Sequence, residues 1–245
     1  MFTLDHFIWL GIIGLVITSF LIAIKRLKLS QRIVSKAVFC LLIALKLFHL
    51  SLSMKASADG GLVLDQTQLS FHLCSIMIYF VILINVIKNE KTVKTLKSFM
   101  VPCMMIGALM ALLIPTEGVS VFVPRVWQYM LIHGVLVFYG LYLMLIEKVD
   151  LSFKSYVSNL KLLLVVTALA FVMNSVLEQY NTNFLFLRKP PMENLPILNL
   201  DHGWYVYFLT LTLIACTLIF LVHMPFIFAD ISKKRAAKKS TVNTL

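Results

Sequence analysis

The chain has 245 residues, of which 60% are hydrophobic and only 13% charged, and its formal net charge is +11. Soluble domains carry about a quarter charged residues, so this composition excludes an ordinary soluble fold and indicates an integral membrane protein. The positive excess lies in short connections between apolar runs, which fits attraction to anionic lipid headgroups and makes nucleic-acid binding a poor reading.

Apolar runs of spanning length, roughly 17 to 25 residues, fall at 7–24, 33–50, 69–87, 99–115, 126–146, 160–177 and 204–228. They predict an all-α polytopic membrane protein, a bundle of seven transmembrane helices, because a helix satisfies its own backbone in hydrocarbon. The first run is too long for a signal peptide and lacks its basic leader, so it reads as a retained span. Lys25, Arg26, Lys28, Arg32 and Lys36 follow it, and the same side receives Lys88, Lys91, Lys94 and Lys97, then Lys148, Lys154 and Lys161, then Lys233, Lys234, Arg235, Lys238 and Lys239. That is 17 of the 22 Lys and Arg. The positive-inside rule then places the N-terminus outside and the C-terminus in the cytoplasm, as a multi-pass protein of the cell membrane. Residues 1–229 form one transmembrane domain, and 230–245 a basic cytoplasmic tail without fixed structure.

The outer loop 51–68 is short, with a turn signal at Gly60–Gly61. The outer loop at about 178–203 joins aromatics, Pro190, Pro191 and Pro196 to Glu178, Arg188 and Asp201. It is too apolar for a solvated linker and too rich in proline for a long helix, so it reads as a structured cap over the bundle. Cys40, Cys103 and Cys216 lie in apolar spans as small hydrophobes, and no pairing of cysteines is required.

Side chains capable of chemistry gather at the outer end: His49, His72, Cys74, Glu117, Arg125, Gln128, His133, Glu178, Arg188, Asp201 and His202. The inner half reads as almost bare of polar groups, with Pro102 and Gly107 its main irregularities. Lys46, about one turn from the outer end of its span, reads as snorkelling to the headgroups. On an ideal helix His72, Ser75 and Tyr79 share a face while Cys74 diverges from His72 by about 200°. Arg125, Tyr129, His133 and Gly140 lie close to one face of the fifth span, with Gln128 at its edge. His133 is about 10 Å deep at 1.5 Å per residue, close to the depth of Cys74. A thiol beside an imidazole makes a sulfur nucleophile, since the base takes the proton and the cation favours thiolate. The bland alternative is a structural thiol and a histidine bonded to a neighbouring carbonyl.

Three segments carry a resemblance. LSFHLCSI, then PRVWQYMLIHG about fifty residues later, then NFLFLRKPP followed by GWY, resemble the YwaF-type bacterial members of the transmembrane protein 164 family, in order and over most of the chain. The vertebrate branch of that family is regarded as a fatty acyltransferase that remodels phospholipids with a cysteine nucleophile and a histidine base. The resemblance implies Cys74 as nucleophile and His133 as base. Asn183, Leu187, Arg188, Lys189 and Pro190 match a further family pattern. Many relatives have a proline-tryptophan pair before the last span, where His202, Gly203 and Trp204 stand here.

The expected function is a lipid transacylase with an outward-facing site, whose partners are membrane phospholipids and lysolipids, with no cofactor and no indication of a protein partner. Arg125 and Arg188 would hold a phosphate, and His72, Gln128 and Tyr129 are candidate donors to an oxyanion. Asn174, Glu178 and Asn183 complete the substrate-binding candidates, with a packing role as the alternative for Asn174 and Glu178. Two rivals remain. A metal-dependent lipid hydrolase would use His49, His72, His133 and His202, although no HxxxH or HExxH pair preorganises them. A transporter or small-ligand-binding protein would need broken helices at the bilayer midplane and related halves, and the near absence of polar groups in the inner half weakens it.

Overall fold

The computed structural model describes residues 3–56, 61–64, 69, 71–192, 195 and 197–242, with side chains described at all of these but 55, 56 and 235–242. The chain runs up and down through α1 (Leu4–Leu27), α2 (Gln31–Leu52), α3 (Leu73–Val86), α4 (Glu90–Cys103) continuing through a π-helical segment (Met104–Ala108) into α5 (Leu109–Leu113), α6 (Pro124–Leu145), α7 (Phe153–Val176) and α8 (Trp204–Val242). Six of the described helical segments are long and apolar enough to cross a membrane, α4 to α5 counting as one. The protein is therefore an all-α polytopic membrane protein, with one small exception. Strands β1 (Met54–Ala56) and β2 (Leu62–Leu64) form an antiparallel hairpin in the loop after α2, Met54 opposite Leu64. Gly60 of the expected turn lies outside the described residues, as does Pro196 of the cap.

Local signals set the helix starts. Ser30, Asn89 and Ser152 accept hydrogen bonds from the backbone N–H three residues on, opening α2, α4 and α7, and Pro124 opens α6, where a missing N–H costs nothing. Two expectations are corrected. The third span is only a 14-residue helix, because Leu69, Phe71 and His72 before it pack against the cap instead. The boundary drawn at 229/230 falls inside α8, which stays helical to Val242; no helix-breaking residue separates the apolar stretch from Lys233 and Lys234.

Burial separates centre from rim. In α4–α5 and α6, 56% and 61% of the spanning window is buried, against 17%, 17% and 11% in α1, α7 and α8. The rim helices present Leu15, Leu164 and Leu213 outward, as lipid-facing surfaces do. One large core joins α1 to α6, and a smaller cluster of Ala170, Phe184 and Leu187, with Phe71, Met173, Phe208 and Leu211 against it, ties the cap to α7 and α8.

The inner half is not bare of polar groups, contrary to the sequence reading. Pro102 has no N–H for the carbonyl of Ser98, four residues earlier, and Asn159 of α7 supplies the missing donor, Nδ2 to Ser98 O at 3.1 Å. The same amide lies 3.1 Å from His223 Nε2 of α8, whose Nδ1 donates to Ile219 O. Ser98 Oγ donates to Asp150 O at 2.8 Å and meets Ser155 Oγ, while Lys97 pairs with Glu147. A proline in α4 is thus compensated by polar side chains on α7, and the three helices α4, α7 and α8 are locked together at the end opposite the cap.

Candidate functional site

At the cap end, α3 begins below the ends of its neighbours. His72 is its N-cap, with extended backbone and no capping hydrogen bond from its side chain, so the helical spacing between His72 and Cys74 does not apply. The His72 ring packs against Phe184 and Phe186 of the cap, at 5.5 Å from each. Cys74 is the second residue of α3 and turns towards the core. A Cβ on Gly107 would meet its Sγ at 3.4 Å, so Cys74 lies against the π-helical segment, where the side-chain-free residue makes room. Gly107 is six residues below the end of α5, which puts the thiol about 9 Å inside the bundle.

His133 lies nine residues into α6. Its Nδ1 is 2.7 Å from Tyr129 O. A carbonyl only accepts, so Nδ1 carries the proton and Nε2 is left as an acceptor. The Tyr129 ring packs against the imidazole in a tilted arrangement with centroids 4.3 Å apart, and its hydroxyl donates to Ala111 O on α5 at 3.1 Å. Tyr129 thereby fixes the His133 ring and links α6 to the helix that Cys74 contacts. Cys74 is a free thiol, and it and His133 make no hydrogen bond to each other among the described residues.

The remaining candidates divide into two groups. Near the end of α2, Arg125 Nε donates to Glu117 at 2.8 Å and its Nη1 lies 3.5 Å from Leu52 O, while His49 Nδ1 donates to the buried Gln128 Oε1 at 3.3 Å. The second group builds the cap. Asn174 bonds both backbone groups of Phe184, at 2.8 and 3.0 Å. Asn183 donates to Lys189 O at 2.9 Å and accepts from the N–H of Arg188 and Lys189, and Arg188 pairs with Glu178. The Asn-aromatic-leucine-Arg-Lys-Pro pattern is therefore a turn closed by its own asparagine. Trp204 and Tyr207 of α8 pin it by bonding to Leu187 O and Phe186 O. Leu185 and Phe186 take positive φ, 54° and 56°, an uncommon conformation for residues with a Cβ, held by these clamps.

Glu178, Arg188, Asn174 and Asn183 thus bond within the cap, Gln128 and Tyr129 bond to His49 and Ala111 O, and the His72 ring packs on cap aromatics. The four histidines of the metal alternative do not converge: His202 is exposed in the turn before α8, and among the described residues no three of His, Cys, Asp or Glu group as metal ligands. The depression lined by Ser19, Ile22, Ala23, Arg26 and Leu27 is shallow and lies at the far end of α1, away from this chemistry. Sequence reasoning missed Gly107 as the seat of Cys74 and Tyr129 as the clamp on His133; the tyrosine four residues before the histidine was the available signal.

No curated protein and no solved structure matches the chain. A family model spans residues 1–223, taking in Cys74, His133, the cap and nearly all of the apolar part of α8. The chain belongs to the TMEM164 family.

Proposed function

We propose that the protein is a membrane-embedded transacylase that moves a fatty acyl chain between lipids through a thioester on Cys74, with His133 as base. The observation that carries this reading is the state of His133: Nδ1 is engaged by Tyr129 O, leaving Nε2 as a proton acceptor, at the same end of the bundle as a free thiol in the first turn of a helix. A helix amino terminus favours an anion, and the N–H groups of Leu73, Cys74 and Ser75 have no partner within the helix. Those N–H groups replace His72, Gln128 and Tyr129 as the donors to an oxyanion.

The steps balance. His133 Nε2 takes the Cys74 proton as Sγ attacks the ester carbonyl of a donor lipid. The tetrahedral intermediate collapses to a thioester, and the departing lysolipid oxygen takes the proton from His133. The hydroxyl of a second lipid then gives its proton to His133 and attacks the thioester, and Cys74 leaves as the thiol. Hydrogen bonds of this kind tighten only in the substrate complex, so the missing Cys74–His133 bond does not count against the pair.

In this reading α3 is the seventh span, short because the cap replaces its outer turns. The N-terminus faces outside, the C-terminus faces the cytoplasm, and the site lies in the outer leaflet of the cell membrane. The polar groups of the inner half offer transport little support, since most bond to one another and to backbone. Purified protein in liposomes is expected to move a labelled acyl chain from a diacyl phospholipid to a lysolipid without coenzyme A. An absolute requirement for acyl-coenzyme A on the side bearing the C-terminal tail would overturn both the transacylase and its outward site.

A further inference from the structure

Two arginines of the cap end are natural phosphate ligands, yet each already has a carboxylate: Arg125 has Glu117 and Arg188 has Glu178. Lys46 differs. It lies inside the spanning helix α2 and is partly buried, while its neighbours Leu47 and Phe48 face outward. Among the described residues it makes no hydrogen bond and no ion pair. An ionisable group within a membrane span is costly and marks a functional site by default.

Snorkelling accounts poorly for this lysine. The Cα–Cβ bonds of a helix tilt towards its amino terminus, and Lys46 lies six residues before the carboxyl end of α2 at Leu52. Its side chain therefore leaves the backbone pointing into the bilayer rather than towards the near surface. It also lies on the protein side of α2, in line with the buried Val34, Val38 and Leu42, and α2 packs against α3, the helix that carries Cys74. At 1.5 Å per residue it is about 9 Å below the end of α2, the depth derived for the Cys74 thiol. The position calls for a single negative charge carried into the membrane on an apolar body.

We propose that Lys46 is the headgroup anchor of this site, pairing with the phosphodiester of a glycerophospholipid whose ester is presented to Cys74. The proposal rests on the acyl-transfer reading for its purpose and assigns recognition of the lipid phosphate to one residue. The shared chemistry is a phosphate anion, and a low-dielectric setting makes one such pair effective when the anion arrives already partly desolvated.

The test is photolabelling of the purified protein in maltoside detergent, with phosphatidylglycerol or diacylglycerol bearing the same diazirine acyl chain. Wild-type protein is expected to take up the phospholipid about tenfold more than the glyceride, the order of a charge-assisted hydrogen bond. Lys46→Met should bring the two close to parity, and Lys46→Arg should keep the preference. If Lys46→Met does not elute as a monodisperse protein, Lys46→Gln carries the same comparison. Equal labelling of the wild type, or an unchanged preference without the lysine charge, overturns the anchor, and displacement of the label by excess inorganic phosphate assigns the subsite to free phosphate and overturns the lipid. Acyl transfer is measured separately. Loss of the preference in a protein that never turns over leaves the anchor standing and removes the transacylase, and turnover indifferent to Lys46 does the reverse.

Discussion

Single atoms set the chemistry of the cap end. The His133 ring is oriented by one carbonyl and one aromatic face, both belonging to Tyr129, so its tautomer follows from an i, i+4 relation on one helix. If Cys74 and His133 act as one unit, Cys74→Ala and His133→Ala should each abolish acyl transfer in liposomes, and the double variant should be no worse than either. Full activity in Cys74→Ala would remove the thioester. Gly107 offers a subtler test, since any side chain there meets Sγ and Leu73 first. Gly107→Leu is expected to lower turnover by about a hundredfold, the scale on which misplacement by 1 Å acts, while the protein stays monodisperse in detergent. Unchanged turnover would mean that Cys74 does not need its seat on the π-helical segment.

At the scale of elements, two asparagines perform structural tasks that their sequence context hides. Asn159 answers the carbonyl that Pro102 leaves open, so Asn159→Leu should destabilise the protein by about 1–3 kcal/mol, the cost of a buried unpaired acceptor. Restoring an N–H with Pro102→Ala should recover much of that loss, giving a clear coupling in a double-mutant cycle of thermal unfolding in detergent; additive effects would refute the compensation. Asn183 closes the cap turn with three hydrogen bonds to Arg188 and Lys189. Asn183→Ala is expected to speed proteolysis within 178–203 severalfold while leaving the helices intact, as read by circular dichroism.

At the scale of the whole molecule, two packing units meet at both ends. The core of α1 to α6 holds Cys74 and His133, and α7, α8 and the cap form a second apolar cluster that grips Phe71 and His72 just before Cys74. Polar bonds among Ser98, Asn159 and His223 fasten the units at the opposite end. The imbalance of 17 of 22 basic residues on one side predicts which end faces outward. A membrane-impermeant thiol reagent should label Asp201→Cys from outside intact cells and leave a cysteine at Ser232 unlabelled; the opposite pattern inverts the topology.

Composition and run length alone decided that this chain crosses a membrane as helices, because hydrocarbon admits few other ways of satisfying a backbone. The sequence also placed Cys74 and His133 towards one end of the bundle, and the segments LSFHLCSI and PRVWQYMLIHG pointed to the family. It misjudged the third span, since an apolar run reads alike whether its first turns are helical or lie extended against aromatics such as Phe184 and Phe186. It offered Asn183 and Arg188 as ligand contacts, and left Asn174 and Glu178 between ligand contact and packing, because a polar residue in an apolar loop carries the same signal whether its partner is substrate or protein. Only the tertiary structure decided that Cys74 faces Gly107, that Arg125 and Arg188 are already paired, and that Asn159 reaches Ser98 across α4 and α7. Each of these depends on which atoms fill a hydrogen bond or a gap between helices, and residues as far apart in sequence as Ser98 and Asn159 are brought together only by packing.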